Sequence, residues 1–108
     1  MKRYNMVISS LAWKMLDKNE QFLNRFNRYA ANKIREEFTD TLREIKRNPF
    51  LFSFDESDSL PDRKYRRALF GKWYKVIFEV EDSTIYINAV VDCRMDPERI
   101  HRELEEEQ

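Results

Sequence analysis

Between Asp62 and Glu79 the chain carries Arg63, Lys64, Arg66, Arg67, Lys72 and Lys75 and no carboxylate. Tyr65, Phe70, Trp73 and Tyr74 are interleaved with them. Clustered cations with aromatic rings between them attract an anion, so this stretch points toward a polyanion or an acidic protein partner. Other chemistries are poorly supplied. A single cysteine, Cys93, rules out an internal disulfide, and a single histidine, His101, leaves no group at zinc-ligand spacing. Neither a metal nor another cofactor is expected.

The elements that must position these cations can be read from periodicity. From Tyr65 to Arg94 the sequence YRRALFGKWYKVIFEVEDSTIYINAVVDCR alternates apolar and polar residues with breaks at Gly71 and at Asp82-Ser83. That pattern predicts three consecutive antiparallel strands, Lys64–Phe70, Trp73–Glu81 and Thr84–Arg94. On the last strand Ile85, Ile87, Ala89, Val91 and Cys93 fall on one face, and Tyr86, Asn88, Val90, Asp92 and Arg94 on the other. Upstream, Tyr4–Ile8 reads as an edge strand ending at Ser9-Ser10, a helix N-cap signal. A helix then runs to about Phe26, its apolar stripe formed by Leu11, Met15, Phe22 and Phe26 and widened by Leu16 and Leu23. Asn27 caps a second helix, about Arg28 to Arg47, with Ala30, Ile34, Phe38, Leu42 and Ile45 on one face. Asn48-Pro49 ends it, because the residue before proline is driven from the helical region. Phe50–Arg63 is an irregular connector, with room for a short extended piece over its first five residues and turn chemistry in DESDS and Pro61. In the tail, Asp96, Pro97, Ile100 and Leu104 predict a short C-terminal helix.

The expected fold is α+β, in the order β-α-α-β-β-β: an N-terminal strand, then an antiparallel helical hairpin packed on one face of a curved antiparallel sheet. The 108 residues, 42% of them hydrophobic, suit one domain spanning 1–108. There is no apolar run near the roughly 20 residues a membrane span needs and no signal-peptide pattern, so a cytosolic protein with no membrane partner is expected. Lysine plus arginine and aspartate plus glutamate number 20 each, but residues 1–54 are net basic and 82–108 net acidic. Overall neutrality argues against broad, non-specific nucleic-acid binding. A focused basic patch is still allowed.

The helical hairpin ending in LREIKRNPF, the connector and strand from Leu60 to Phe70 with its YRR-x-LF, the strand WYKVIFEV at Trp73–Val80 and the terminal VVDCRMDP resemble the RelE/ParE superfamily of toxins from bacterial type II toxin–antitoxin modules. The resemblance implies a small toxin neutralised by a cognate antitoxin. Its RelE-like branch cleaves messenger RNA on the ribosome and inhibits translation, the activity expected first of this chain; its ParE-like branch, a non-hydrolytic inhibitor of DNA gyrase, is the alternative. For the nuclease branch, Arg66, Lys75 and Arg94 stand at the catalytic cationic positions, with Arg67, Lys72, Lys64, Tyr86 and Tyr74 as candidates for holding substrate. The chain departs from that branch at Ala68, where a second cation is expected, and at Ile100, near a tyrosine used by some members. Self-cleavage through the 2′-hydroxyl also needs proton transfer, which an always-protonated arginine serves poorly. Lys75, if its basicity were lowered by neighbouring charge, and His101 are the candidates.

Each of these residues also has a plainer role. The cations between Arg63 and Lys75 can be the solvated face of a hairpin, and Arg94 can pair with Asp92 or Asp96 at a gain of at most about 1 kcal/mol. His101 then sits on a helix surface, Cys93 in the core, Tyr74 and Tyr86 on a half-exposed sheet, and Trp13 and Trp73 in packing. The glutamates of the tail are a solvated helix end or a screen for the basic face.

Overall fold

Two short polar side chains set the frame. Ser9 Oγ accepts the Ala12 N–H at 3.0 Å, and Asn27 Oδ1 accepts the Ala30 N–H at 3.0 Å. Each therefore satisfies one of the donors a helix start leaves unpaired. The Asn27 N–H also donates to Leu23 O, at 2.7 Å, so one residue ends the first helix and begins the second. The computed structural model describes residues 3–55 and 64–94. Most of the irregular connector, the C-terminal helix and His101 lie outside the described residues.

The elements are β1 (Asn5–Ile8), α1 (Ser10–Phe26), α2 (Arg28–Arg47), a single 3-10 turn (Pro49–Leu51), β2 (Arg66–Phe70), β3 (Tyr74–Glu81) and β4 (Thr84–Asp92). Among the described residues no helix is long and apolar enough to cross a membrane. The order is the α+β order expected from the sequence, and β2, β3 and β4 form the expected antiparallel meander. The sheet as a whole is mixed, in the order β1-β4-β3-β2, because β1 lies parallel to β4 with Asn5 opposite Thr84 and Ile8 opposite Ile87. Parallel neighbours need a long crossover, and the intervening hairpin and two strands supply it.

The hairpin packs through a short chain of rings. Phe38 on α2, 1% exposed, meets Trp13 on α1 edge-on at 5.8 Å and Phe70 on β2 at 6.0 Å. Phe70 in turn lies 5.6 Å from Tyr74 on β3. Edge-on and tilted contacts of this kind add to the area the rings bury. Around them Leu16, Ile34, Ile45, Val76, Phe78, Ile85 and Ile87 close the core. The apolar stripe of α1 is only partly used: Met15 and Leu16 are buried, whereas Phe22 and Phe26, expected on the same face, are 48% and 74% exposed.

One irregularity redirects half of β4. Ile77 pairs with Ala89 but Phe78 pairs with Ile87, so Asn88 is an extra residue on β4. A bulge of this sort reverses which side the following residues face. Ile85 and Ile87 share the helix side with Phe78 and Val80. Beyond the bulge, Ala89, Val91 and Cys93 pass to the far side with Ile77 and Lys75, and Val90 and Asp92 to the helix side with Val76 and Tyr74. The alternation expected from sequence is therefore right only up to Ile87. Cys93 is exposed and not a core residue, and the far face is no bare platform, since Ile77, Ala89 and Val91 are fully buried.

Because Phe38 touches both the first helix and the sheet, Phe38→Ala should cost about 3–5 kcal/mol, the usual range for removing a buried phenylalanine. Urea unfolding followed by circular dichroism checks this, and a loss below about 1 kcal/mol would mean that the hairpin is held elsewhere.

Candidate functional site

The cations of β2 and β3 are fixed by the stretch that follows α2. Ser53 O accepts the Arg67 N–H at 3.0 Å and the Asp55 N–H donates to Tyr65 O at 2.8 Å, with Phe54 bridged to Arg66. This stretch therefore runs antiparallel along the outer edge of β2. Its carbonyls and one carboxylate then take up the cations one by one. Arg66 lies over the Phe54 ring at 4.1 Å and the Phe50 ring at 5.1 Å and donates from Nη1 to Phe52 O at 2.7 Å. Arg67 donates to Phe54 O at 2.7 Å. Lys75 Nζ lies 2.9 Å from Asp55 Oδ1, in a pair whose side chains are only 13% and 4% exposed.

Arg94 is elsewhere. Its Nε and Nη2 clasp the two oxygens of Asp92 at 2.9 and 2.6 Å, and its backbone N–H adds a third bond at 2.9 Å. The guanidinium also stacks 5.0 Å from the Trp73 ring. The clasp holds the Asp92 carboxyl below the usual carboxylate range, chiefly through the Arg94 side-chain hydrogen bonds. Of the two pairings open to Arg94 in the sequence, the one with Asp92 is therefore formed.

The eight candidates that lie among the described residues thus separate. By strand parity Arg66 faces the helix side with Ala68 and Phe70, whereas Arg67 and Lys75 face the far side with Ile77. Arg94 sits at the end of the sheet, in a groove also lined by Phe22, Phe26, Lys72 and Trp73. Lys64 pairs with Glu79 at 3.3 Å, an interaction that raises its basicity. Lys72 lies 5.1 Å from the Trp73 ring. Tyr86 is paired across the sheet with Glu79, and Tyr74 is buried at the groove with its hydroxyl unpartnered. Burial pushes the Tyr74 hydroxyl above its ordinary pKa, with the Asp92 carboxylate adding to the effect. Arg66, Lys75 and Arg94 therefore do not converge on one anion-sized space; His101 lies outside the described residues. Among those residues no group of three potential metal ligands occurs.

Asp55 and Asp92, the carboxylates that hold Lys75 and Arg94, are not among the candidates the sequence suggests. For Asp92 the signal was its spacing of two from Arg94. Asp55 opens a turn-rich run and carried none.

No family model matches the chain, and no curated protein matches it in sequence. Among solved structures, a chain of the chromosomal ParDE TA system from P. aeruginosa matches with a TM-score of 0.68 at 14% identity, over 83% of this chain and 96% of that one. The two share a fold.

Two measurements test the pairings. Lys75→Ala should cost about 2–4 kcal/mol, because it takes the cation from a buried carboxylate, and the apolar double variant Asp55→Leu, Lys75→Met should recover most of that loss. Urea midpoints of the singles and the double decide it. Arg94→Gln should lower stability only slightly at pH 7, because the arginine end of the pair is open to solvent. The Asp92 carboxyl is depressed in the folded chain, so its contribution is present above the unfolded value near 3.9 and is lost as pH falls through the folded value. The difference between wild type and Arg94→Gln should therefore disappear in strong acid, a trend readable from melts between pH 7 and pH 2.

Proposed function

We propose that the chain is the toxin component of a type II toxin–antitoxin module and that it acts by docking onto a protein target rather than by cutting RNA. The fold likeness to a ParDE component and the RelE/ParE resemblance of the sequence support the first half of this reading. One observation carries the second: Arg66, Lys75 and Arg94 are each engaged by the chain's own acceptors, Arg66 and Lys75 on opposite faces of the sheet and Arg94 at its end. Electrostatic catalysis at a phosphate depends on donors already aimed at the place where charge develops. Here such donors would first have to leave Phe52 O, Asp55 and Asp92. The arginines retain their protons at any physiological pH and supply no base, and the carboxylates beside the cations, Asp55 and Asp92, are already held in ion pairs.

A toxin that works by occupying a partner needs surface instead, and exposed Phe22, Phe26, Tyr29, Phe50, Leu51 and Leu69 provide it. The ParE-like branch implies DNA gyrase as the target. A cognate antitoxin carrying apolar and acidic residues would neutralise the chain in the cytoplasm by covering part of the same surface. The RelE-like reading, ribosome-dependent cleavage of messenger RNA, then requires that ribosome binding rearrange three cations at once.

Expression of the chain alone should arrest growth with DNA breaks and an SOS response, and with transcripts left intact. Primer extension and polysome profiles after induction make the comparison. In-frame transcript cuts without DNA damage would replace the docking reading with the nuclease one, and unimpaired growth would remove both.

A further inference from the structure

A groove of about 450 Å³ opens between the tip of the helical hairpin and the β2–β3 turn. Phe22 and Phe26 of α1 and Trp73 of the turn stand along it, with Leu23, Ala30 and Ile34 completing an apolar wall. Phe22 is 48% exposed, Phe26 74% and Trp73 40%. Exposed rings gathered at one concave place mark a surface that another segment covers. Lys72 and Arg94 line the same groove, with Glu37 as the opposing charge. Arg94 spends Nε and one Nη2 hydrogen on Asp92 and keeps its remaining N–H donors. Lys72 forms no ion pair among the described residues and lies 5.1 Å from the Trp73 ring. Tyr74, 4% exposed, adds a hydroxyl with no hydrogen-bond partner, so the groove calls for an acceptor that the described residues do not bring to it.

The described residues end at Arg94, a lining residue of this groove, and the chain continues from there as MDPERIHRELEEEQ. Residues 95–108 carry six carboxylates, Asp96, Glu98, Glu103, Glu105, Glu106 and Glu107, against Arg99 and Arg102. Asp96 and Pro97 are a helix-start signal, and Ile100 and Leu104, four apart, then fall on one face. The apolar pair suits the rings, the carboxylates suit Lys72 and Arg94, and the two arginines are available to Glu37. Reach is no obstacle. Six residues lead from Arg94 to Ile100, a tether of at most about 20 Å. A tether this short holds the segment at an effective concentration of about 1 mM, so an intrinsic affinity as weak as about 1 mM already leaves the groove half filled. A separate chain has no such advantage.

We infer that the chain's own C-terminal segment, residues 95–108, folds back into this groove, with Ile100 and Leu104 seated between Phe22, Phe26 and Trp73 and the neighbouring carboxylates against Arg94 and Lys72. The last turn of the α1 stripe, exposed among the described residues, is then buried by the chain itself. In the free protein the tail covers rings that a protein target would otherwise meet, and a target gains them by displacing it. The contact concerns this chain alone; only that consequence rests on the docking reading above.

Methyl NMR on the full chain tests this. Nuclear Overhauser contacts are expected from the Ile100 and Leu104 methyls to the rings of Phe22, Phe26 and Trp73, with those methyls shifted upfield by the rings. Amides of residues 100–104 should exchange about tenfold more slowly than in Phe26→Ser or Leu104→Ser, each the loss of one anchor at a position that the described core does not need. Glu103→Gln, Glu105→Gln, Glu106→Gln and Glu107→Gln together should likewise speed the exchange. Leu51→Ser, at the far end of α2 from the groove, should leave it unchanged. Tail methyls at unstructured shifts, ring contacts found only between differently labelled copies, contacts to the cations of β2 and β3 instead, or exchange indifferent to Phe26→Ser would each overturn the assignment. All of these are read on the free protein, so they stand or fall apart from what growth arrest shows for the docking reading.

Discussion

The stretch from Pro49 to Asp55 is the constraint on which the chemistry of this protein depends. It leaves α2 at Asn48, turns once, and runs along β2, where the Ser53 carbonyl and the Asp55 amide complete part of a ladder. An uncovered sheet edge is a template for unwanted pairing, and this strip covers one. The same strip brings Phe52 O, Phe54 O and the Asp55 carboxylate up to Arg66, Arg67 and Lys75. Edge protection and cation neutralisation are thus one structural event.

That coupling bears on function through desolvation. The Lys75–Asp55 pair is nearly buried, and the attraction inside such a pair is set against the loss of two hydration shells. An incoming phosphate would have to compete with Asp55 for the ammonium. Arg94 is easier to recruit, because its clasp on Asp92 is half exposed and screened by water. The cation that can most readily meet an external anion therefore lies beside exposed aromatic rings, and the cations deepest in the sheet are the least free to do so. Association with an apolar, acidic surface follows from that distribution more directly than phosphate chemistry does.

Much of the architecture was legible because it rests on local signals. Ser9 and Asn27 are N-caps by residue type, Pro49 stops a helix by its ring, and Gly71 and Asp82-Ser83 sit at the two turns of the meander. Asp82 takes φ +55°, which a short polar side chain tolerates better than most. Strand direction was less legible. Nothing local in Asn5–Ile8 says whether it pairs parallel or antiparallel, since that is decided by where the crossover lands. The exposure of Phe22 and Phe26 was hidden for a related reason: an apolar stripe shows which way a helix faces, but not whether anything stands opposite its last turns. The candidate cations were visible as residue types. Asp92 was visible beside Arg94 as well, but Asp55 was not, because it is separated from Lys75 by 20 residues of sequence.

The bulge at Asn88 explains why carrying roles across by sequence order misplaces the end of the sheet. Strict alternation puts Arg94 on the same face as Tyr86, away from the helices. One extra residue reverses that parity, and Asp92 then stands opposite Tyr74 on the helix side, with Arg94 drawn to it and to Trp73. Cys93 moves the other way, into solvent near Lys75 and Asp55, where partial burial still holds its thiol above the ordinary range. Period-two patterning has no means of signalling such an insertion, because Ala89, Val90 and Val91 are all apolar and fit either phase. A run of three interchangeable side chains leaves the register to the ladder, and the ladder here turns the last cation of the sheet toward the groove.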